Sequence, residues 1–165
     1  MKKLLLLSVL LFVSFSANAQ TNELILEKEV LAHKGIDDIY RQFSESYRAL
    51  NSETVTNLYT ESAAYLAPDN DILQGREKIR VTFKDFFNSV KTGGRTMTIS
   101  FQIFQRKADK LMAYDVGIYK LRSFKDGKEI GMDKGKFVVV ALKEKDDKWR
   151  FQVDGYSGLK PSGNK

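Results

Sequence analysis

The chain has 165 residues, of which 27 are basic and 21 acidic, a formal net charge of +6, and no cysteine. This length fits one domain with a hydrophobic core, and the lack of cysteine excludes disulfide bonds and thiol chemistry. The basic residues are spread along the chain and do not form the concentrated face of a nucleic-acid-binding protein, so we expect no nucleic-acid partner.

The first residues have the pattern of a secretory signal peptide. Residues 1–3 (MKK) are basic, residues 4–15 are almost all apolar, and residues 17–19 (ANA) match an A-x-A cleavage site. The apolar run is shorter than the ~20 residues of a spanning helix. We therefore expect residues 1–19 to be removed and the protein to be exported to the periplasm or the exterior of a bacterium. We expect no membrane anchor after cleavage.

Three helices are predicted in the first half of the chain, after a helical or frayed lead-in over residues 20–35. The second, short helix covers residues 53–59 with Ser52 as its cap, and the third covers residues 76–90 and ends at a pair of glycines. The first helix begins near residue 36, and its apolar residues recur at helical spacing. They are Ile36, Ile39, Tyr40, Phe43, Tyr47 and Leu50.

Strands are predicted for most of the remaining chain. Two short strands, residues 63–67 and 72–73, flank a turn with the sequence PDND. Four long strands follow, and tight turns between them require antiparallel neighbours. Helices that precede such a sheet must cover one of its faces, which is an α+β arrangement. The long strands are residues 96–106, 111–124, 128–143 and 149–156, which leaves residues 160–165 as a predicted disordered tail.

Several short segments occur in an order known from one superfamily. They are residues 47–52 (YRALNS), residues 75–79 (GREKI), Gly117-x-Tyr119 and residues 148–151 (KWRF). Over residues 36–159 the chain resembles the SnoaL-like branch of the nuclear transport factor 2-like superfamily. The resemblance implies a cone-shaped, curved antiparallel sheet wrapped around the N-terminal helices, the cystatin-like roll. The superfamily contains isomerases, dehydratases, pocket-binding proteins and association domains, so the fold does not decide the function.

The resemblance to isomerases also implies a general base just after the first short strand. The residue before Pro68 is Ala67, which cannot accept a proton, and Asp69 lies in the turn. The chain therefore departs from the isomerase pattern at this position.

Strand 111–124 carries the leading candidates for acid–base chemistry. Alternation places Asp115 and Tyr119 on one face, roughly 13 Å apart, where both could line one cavity. Asp115, with Tyr119 or Tyr47 as hydrogen-bond donor, would be the acid/base of a lyase or isomerase acting on a small carbonyl compound. The alternative is that Asp115 forms an ion pair with a basic residue of a neighbouring strand. The opposite face of the strand is apolar and comprises Met112, Tyr114, Val116 and Ile118.

The last strand shows a second polar pattern. Strict alternation places Arg150, Gln152, Asp154 and Tyr156 on one face. This face could be solvated, a pocket mouth or a subunit contact.

The chain is rich in aromatic residues, with 11 Phe, 7 Tyr and one Trp. We expect most of them in the core and some around an apolar pocket, where tyrosine hydroxyls supply polar contacts. The leading hypothesis is an exported protein that binds a small hydrophobic or amphipathic ligand. The alternatives are the lyase or isomerase above and an association domain that forms a homodimer through the outer sheet face. The predicted ligand-binding residues are Tyr47, Tyr59, Phe83, Phe87, Asp115, Tyr119 and Trp149.

No metal or cofactor is expected. His33 is the only histidine, and we expect it at the surface because a metal site needs several ligands. Residues 69–71 (DND) resemble the start of a calcium loop, but Leu73 and Gln74 stand where an oxygen ligand and a glycine are required. No dinucleotide-binding or P-loop pattern is present.

Overall fold

The computed structural model describes residues 23–159, so the predicted signal peptide and the predicted tail lie outside the described residues. Within this part of the chain, no helix is long and apolar enough to cross a membrane. The helices are α1 (Lys34–Ala49), α2 (Ser52–Thr56) and α3 (Arg76–Thr92). The strands are β1 (Leu24–Leu26), β2 (Tyr59–Leu66), β3 (Leu73–Gln74), β4 (Arg95–Ala108), β5 (Met112–Lys125), β6 (Lys128–Lys143) and β7 (Trp149–Gly158).

Local sequence explains where α1 and α2 begin and end. The side chain of His33 caps α1 by accepting a hydrogen bond from the backbone N–H of Ile36. Leu50 ends α1 in the left-handed conformation, with φ of 50°. Asn51 caps α2 through a 3.1 Å bond from the N–H of Thr54, so the prediction of Ser52 as this cap was wrong by one residue.

The strands form one curved, unclosed sheet in the order β1-β4-β5-β6-β7-β2-β3. The four long strands β4 to β7 pair antiparallel, as their tight turns predicted. Parallel pairs occur between β1 and β4 and between β2 and β7. Helices α1 and α3 cover the concave face, so the predicted α+β roll is confirmed.

The lead-in segment differs from the expectation of a helical or frayed region. Its residues Leu24–Leu26 form β1, which adds a strand to the edge of β4. The backbone N–H of Phe101 donates to the carbonyl of Glu23 at 2.7 Å. Because an unpaired strand edge offers a row of hydrogen-bonding groups, three apolar residues suffice to pair there.

A β-bulge in β4 changes which residues face the concave side. Ile103 pairs with Gly117, but Gln105 pairs with the next residue, Val116, so Phe104 is an inserted residue. A bulge of this kind shifts the alternation by one position. Ile103 and Arg106 are three residues apart, so strict alternation would place them on opposite faces. Because of the bulge both face inward, and Arg106 lies opposite Asp115.

Arg106 holds two buried carboxylates together. Its Nε and Nη2 donate to the two oxygens of Asp115, both at 2.8 Å, and its Nη1 donates to Asp37 Oδ1 at 2.6 Å. The three side chains are at most 5% exposed. This Asp37–Arg106–Asp115 triad connects α1, β4 and β5.

We predict that Arg106→Leu destabilises the protein by about 3–5 kcal/mol, because it leaves two buried carboxylates without their cation. Urea denaturation followed by circular dichroism measures the free energy of unfolding. Arg122→Leu is the matched control, since Arg122 is 43% exposed and its carboxylate partner lies 3.9 Å away, and we expect a change within about 0.5 kcal/mol. Equal effects of the two substitutions would contradict a special role of the triad.

Candidate functional site

A cavity of about 570 Å³ lies between the concave face of the sheet and helices α1 and α3. This volume is within the usual range for small-molecule sites. Eleven of its 20 lining residues are aromatic, five are aliphatic and four are polar. The aromatic residues are Tyr40, Phe43, Tyr47, Tyr65, Phe83, Phe86, Phe101, Tyr119, Phe137, Phe151 and Tyr156.

Glycines in two neighbouring strands let aromatic rings lie against the sheet. Tyr119 in β5 pairs with Gly135 in β6, and Phe137 in β6 pairs with Gly117 in β5. A Cβ at Gly135 would overlap the ring of Tyr119, and one at Gly117 would overlap the ring of Phe137. The two rings therefore form the wall of the cavity because their cross-strand partners have no side chain.

The polar lining residues lie at two depths. Asn70, Asp71 and Thr82 are exposed, and we place the cavity mouth at these residues, between the β2–β3 turn and α3. Asp154 is 8% exposed and lies deep, next to buried aromatic rings. The cavity therefore has a polar rim and a single buried carboxylate.

A second bulge explains why Asp154 faces the cavity. Val153 pairs with Val140, whereas Phe151 pairs with Ala141, so Gln152 is an inserted residue in β7. Phe151 and Asp154 consequently share the concave face. The prediction that Asp154 shares a face with Arg150 and Gln152 was wrong, because strict alternation does not hold across a bulge.

The environment of Asp154 changes its acidity. Tyr59 Oη donates a 2.5 Å hydrogen bond to Asp154 Oδ2. Burial raises the pKa of Asp154 to about 6, although the hydrogen bond from Tyr59 acts in the opposite direction. Among the described residues no hydrogen bond reaches Oδ1, so this oxygen is free to accept one from a molecule in the cavity.

Tyrosine hydroxyls supply the other polar groups of the cavity. Tyr65 Oη donates to Tyr156 Oη at 3.3 Å, and the rings of Tyr119 and Tyr156 meet edge to face, with 5.8 Å between their centroids. Burial raises the pKa of Tyr47, Tyr65 and Tyr119 above the usual value. These three groups therefore remain neutral hydrogen-bond donors at ordinary pH.

The structure brings three of the predicted site residues together, since Tyr47, Phe83 and Tyr119 all line the cavity. Tyr59 lies behind the cavity wall, where it reaches the cavity through Asp154. Phe87 is 1% exposed and packs edge to face on Tyr47 in the core.

Two predicted site residues lie apart from the cavity. Trp149 packs edge to face against His33, with 5.0 Å between the ring centroids, so His33 is a helix cap under an aromatic ring and not a free surface residue. Asp115 is held by Arg106, as the ion-pair alternative predicted. Asp115 is not among the residues that line the cavity.

Sequence reasoning did not select Asp154, Tyr65 or Tyr156 as site residues. Alternation places Asp154 and Tyr156 on one face that could be a pocket mouth, and both line the cavity, but the bulge at Gln152 separates them from the face of Arg150 and Gln152. Within residues 23–159, no group of three His, Cys, Asp or Glu side chains is arranged to hold a metal ion.

Solved structures share this architecture at low sequence identity. A protein of the calcium/calmodulin-dependent protein kinase II association domain type from Xanthomonas campestris aligns with a TM-score of 0.64 and 21% identity, over 84% of this chain and 95% of that one. A nuclear transport factor 2-like protein with a cystatin-like fold from Novosphingobium aromaticivorans aligns with a TM-score of 0.66 and 12% identity, over 79% of this chain and 83% of that one. A ketosteroid isomerase-like protein from Erwinia carotovora atroseptica aligns with a TM-score of 0.60 and 11% identity, over 78% of this chain and 96% of that one.

No family sequence profile matches the chain, and no curated protein matches it. At these identities the solved structures establish the architecture alone. The chain therefore has the nuclear transport factor 2-like, cystatin-like fold that the short sequence segments indicated.

We predict that Asp154→Asn changes the pH dependence of stability. The pKa of Asp154 is about 6 in the folded protein and 3.8 in an ordinary environment. The contribution of Asp154 to the free energy of unfolding is therefore complete below about pH 3.8 and is lost as pH rises through about 6. The free energy of unfolding of the wild type minus that of the variant should fall by up to about 3 kcal/mol between pH 4 and pH 7. Urea denaturation at several pH values measures this difference, and a flat difference would contradict the assignment.

Proposed function

We propose that the protein binds a small, mostly apolar ligand in the cavity on the concave face of its sheet. The observation that carries this proposal is the cavity of about 570 Å³ with aromatic and aliphatic walls. Pockets of this size and composition commonly enclose most of a small molecule and orient it with a few polar groups. The predicted signal peptide supports a place of action outside the cytoplasm.

The cavity offers two kinds of contact to a ligand. Rings such as Phe43, Phe83 and Phe101 would bury apolar surface, which is worth roughly 25 cal/mol for each Å² removed from water. The hydroxyls of Tyr47 and Tyr119 and the carboxylate of Asp154 would fix the orientation through hydrogen bonds. Apolar contact would supply most of the affinity, and these polar groups most of the specificity.

Acid–base catalysis is a second candidate function, now centred on Asp154. A buried carboxyl group with a pKa of about 6, hydrogen-bonded to Tyr59 inside a cavity, matches the needs of a general acid or base near neutral pH. A lyase or isomerase acting on a small carbonyl compound would use it. Hydrogen–deuterium exchange at the carbon next to a cyclohexanone carbonyl, followed by NMR, tests this reading. Equal exchange with the wild type and Asp154→Asn would exclude it.

We also propose that the protein forms a homodimer through the outer face of the sheet. Val116 and Val138 pair across β5 and β6 and are 37% and 48% exposed on that face. Met112 lies on the same face of β5 and is 56% exposed, and exposed apolar patches mark contact surfaces. A monomer at high concentration in analytical ultracentrifugation would contradict this proposal.

We predict that Leu121→Trp weakens ligand binding by at least about tenfold, because the larger side chain fills part of the cavity that Leu121 lines. N-phenyl-1-naphthylamine, a neutral apolar dye, reports binding through its fluorescence. The matched control is Leu111→Trp, at a site that is 68% exposed and outside the cavity, and it should leave dye binding unchanged. Equal dye binding by both variants, or none by the wild type, would contradict a ligand cavity.

A further inference from the structure

The charges that line the cavity are all of one sign. Asp154 lies deep and Asp71 lies at the mouth, and none of the cavity-lining residues in the described part of the chain is Lys, Arg or His. This is unexpected for a chain with 27 basic and 21 acidic residues. Because the cavity walls around Asp154 are otherwise apolar or neutral, the field of this carboxylate is weakly screened inside the cavity.

Asp115, the other buried carboxylate of the sheet, provides a comparison for Asp154. Asp115 is 1% exposed and receives two hydrogen bonds from the guanidinium of Arg106. Asp154 is similarly buried but receives one hydrogen bond, from the neutral Tyr59. Buried charges are normally paired with an opposite charge because desolvation is costly. Asp154 therefore has no cationic partner among the described residues, although it lines the cavity.

The rings around Asp154 favour the same charge. Tyr47, Tyr65, Phe83 and Tyr156 line the cavity near the carboxylate. The face of an aromatic ring carries negative electrostatic potential and attracts a cation, most strongly where water is excluded. Aromatic walls and a carboxylate together form a site that suits an ammonium group attached to an apolar body.

We propose that the ligand of this cavity is an organic cation, a small apolar molecule with a protonated or quaternary ammonium group held between the carboxylate of Asp154 and the surrounding tyrosine rings. This inference rests on the proposed ligand-binding function and specifies its chemical class. The apolar body would lie among the phenylalanine rings, and Asp71 would attract the cation to the mouth.

The pH dependence of binding follows from the titration of one group. The titratable side chains next to Asp154 are tyrosines: Tyr40 and Tyr47 from α1, Tyr59 and Tyr65 from β2, and Tyr156 from β7. Asp115 of β5 and Arg106 of β4 lie on the same concave face beyond Val139, where they pair with each other. From β6 and α3 the nearby cavity residues are Val139 and Phe83, which do not titrate. Affinity for a quaternary ammonium ion should therefore rise as pH passes through about 6, the pKa of Asp154, and level off above it.

Benzyltrimethylammonium and its carbon isostere, neopentylbenzene, provide the test. The two molecules have the same shape and differ in charge. Ligand-observed NMR titrations with the protein at pH 8 should show binding of the cation about tenfold tighter than that of the isostere. The affinity for the cation should fall between pH 8 and pH 5, and the affinity for the isostere should not.

Two variants complete the test. Asp154→Asn should lose about tenfold in affinity for the cation, keep its affinity for the isostere and still bind N-phenyl-1-naphthylamine, which shows that the cavity is intact. Asp85→Asn, on the exposed surface of α3, is the matched control and should bind both molecules as the wild type does. If the isostere binds as tightly as the cation, the cation inference is wrong and the ligand cavity stands. If dye, isostere and cation all fail to bind, both proposals are wrong.

Discussion

A β-strand presents every second residue to each face of its sheet, and two inserted residues in this protein decide which polar groups reach the concave side. Phe104 shifts the alternation of β4 so that Arg106 faces inward, and Gln152 shifts that of β7 so that Asp154 does. Without these bulges, the apolar pattern of each strand would continue and both charges would face outward. The inward facing of Arg106 and Asp154 therefore depends on two of the local irregularities of the sheet.

The two buried carboxylates of the sheet serve different purposes because their surroundings differ. Asp115 is neutralised by Arg106, which also binds Asp37 and so attaches the start of α1 to β4 and β5. Removing one member of such a cluster is costly because it leaves a buried charge unpaired, whereas replacing the whole cluster with apolar residues can leave stability unchanged. Asp154 has no cation beside it, and burial raises its pKa to about 6. A ligand that supplies a positive charge would offset the free-energy cost of keeping this buried carboxylate ionised.

Regular periodicity made most of the fold predictable from the sequence. The helical spacing from Ile36 to Leu50 identified α1, and alternation with tight turns identified β4 to β7 in antiparallel order. The lead-in was not predictable because β1 has three residues, and its pairing depends on a distant strand edge. Tyr47 and Tyr119 were found because helix and strand patterns place them inward. The ion pair of Asp115 was not predictable because the bulge at Phe104 turns its partner Arg106 inward, and Asp154 was not selected because the bulge at Gln152 shifts the pattern of β7. Neither bulge has a clear signal in composition or spacing.

The cavity remains open because of how its rings are supported. In a well-packed core, large side chains interdigitate and leave few voids. Here Tyr119 lies over Gly135 and Phe137 lies over Gly117, so both rings lie along the sheet. A side chain at either glycine would push the ring away from the sheet and into the cavity. On the opposite side, Phe83 and Tyr47 are fixed by packing against Phe87. Aromatic rings thus line both sides of a space that the protein does not fill, and a carboxylate without a cationic partner lies in its wall. A molecule with an apolar body and a positive charge satisfies both features at once, whereas a neutral apolar molecule would leave the carboxylate unpaired and an anion would be repelled by it.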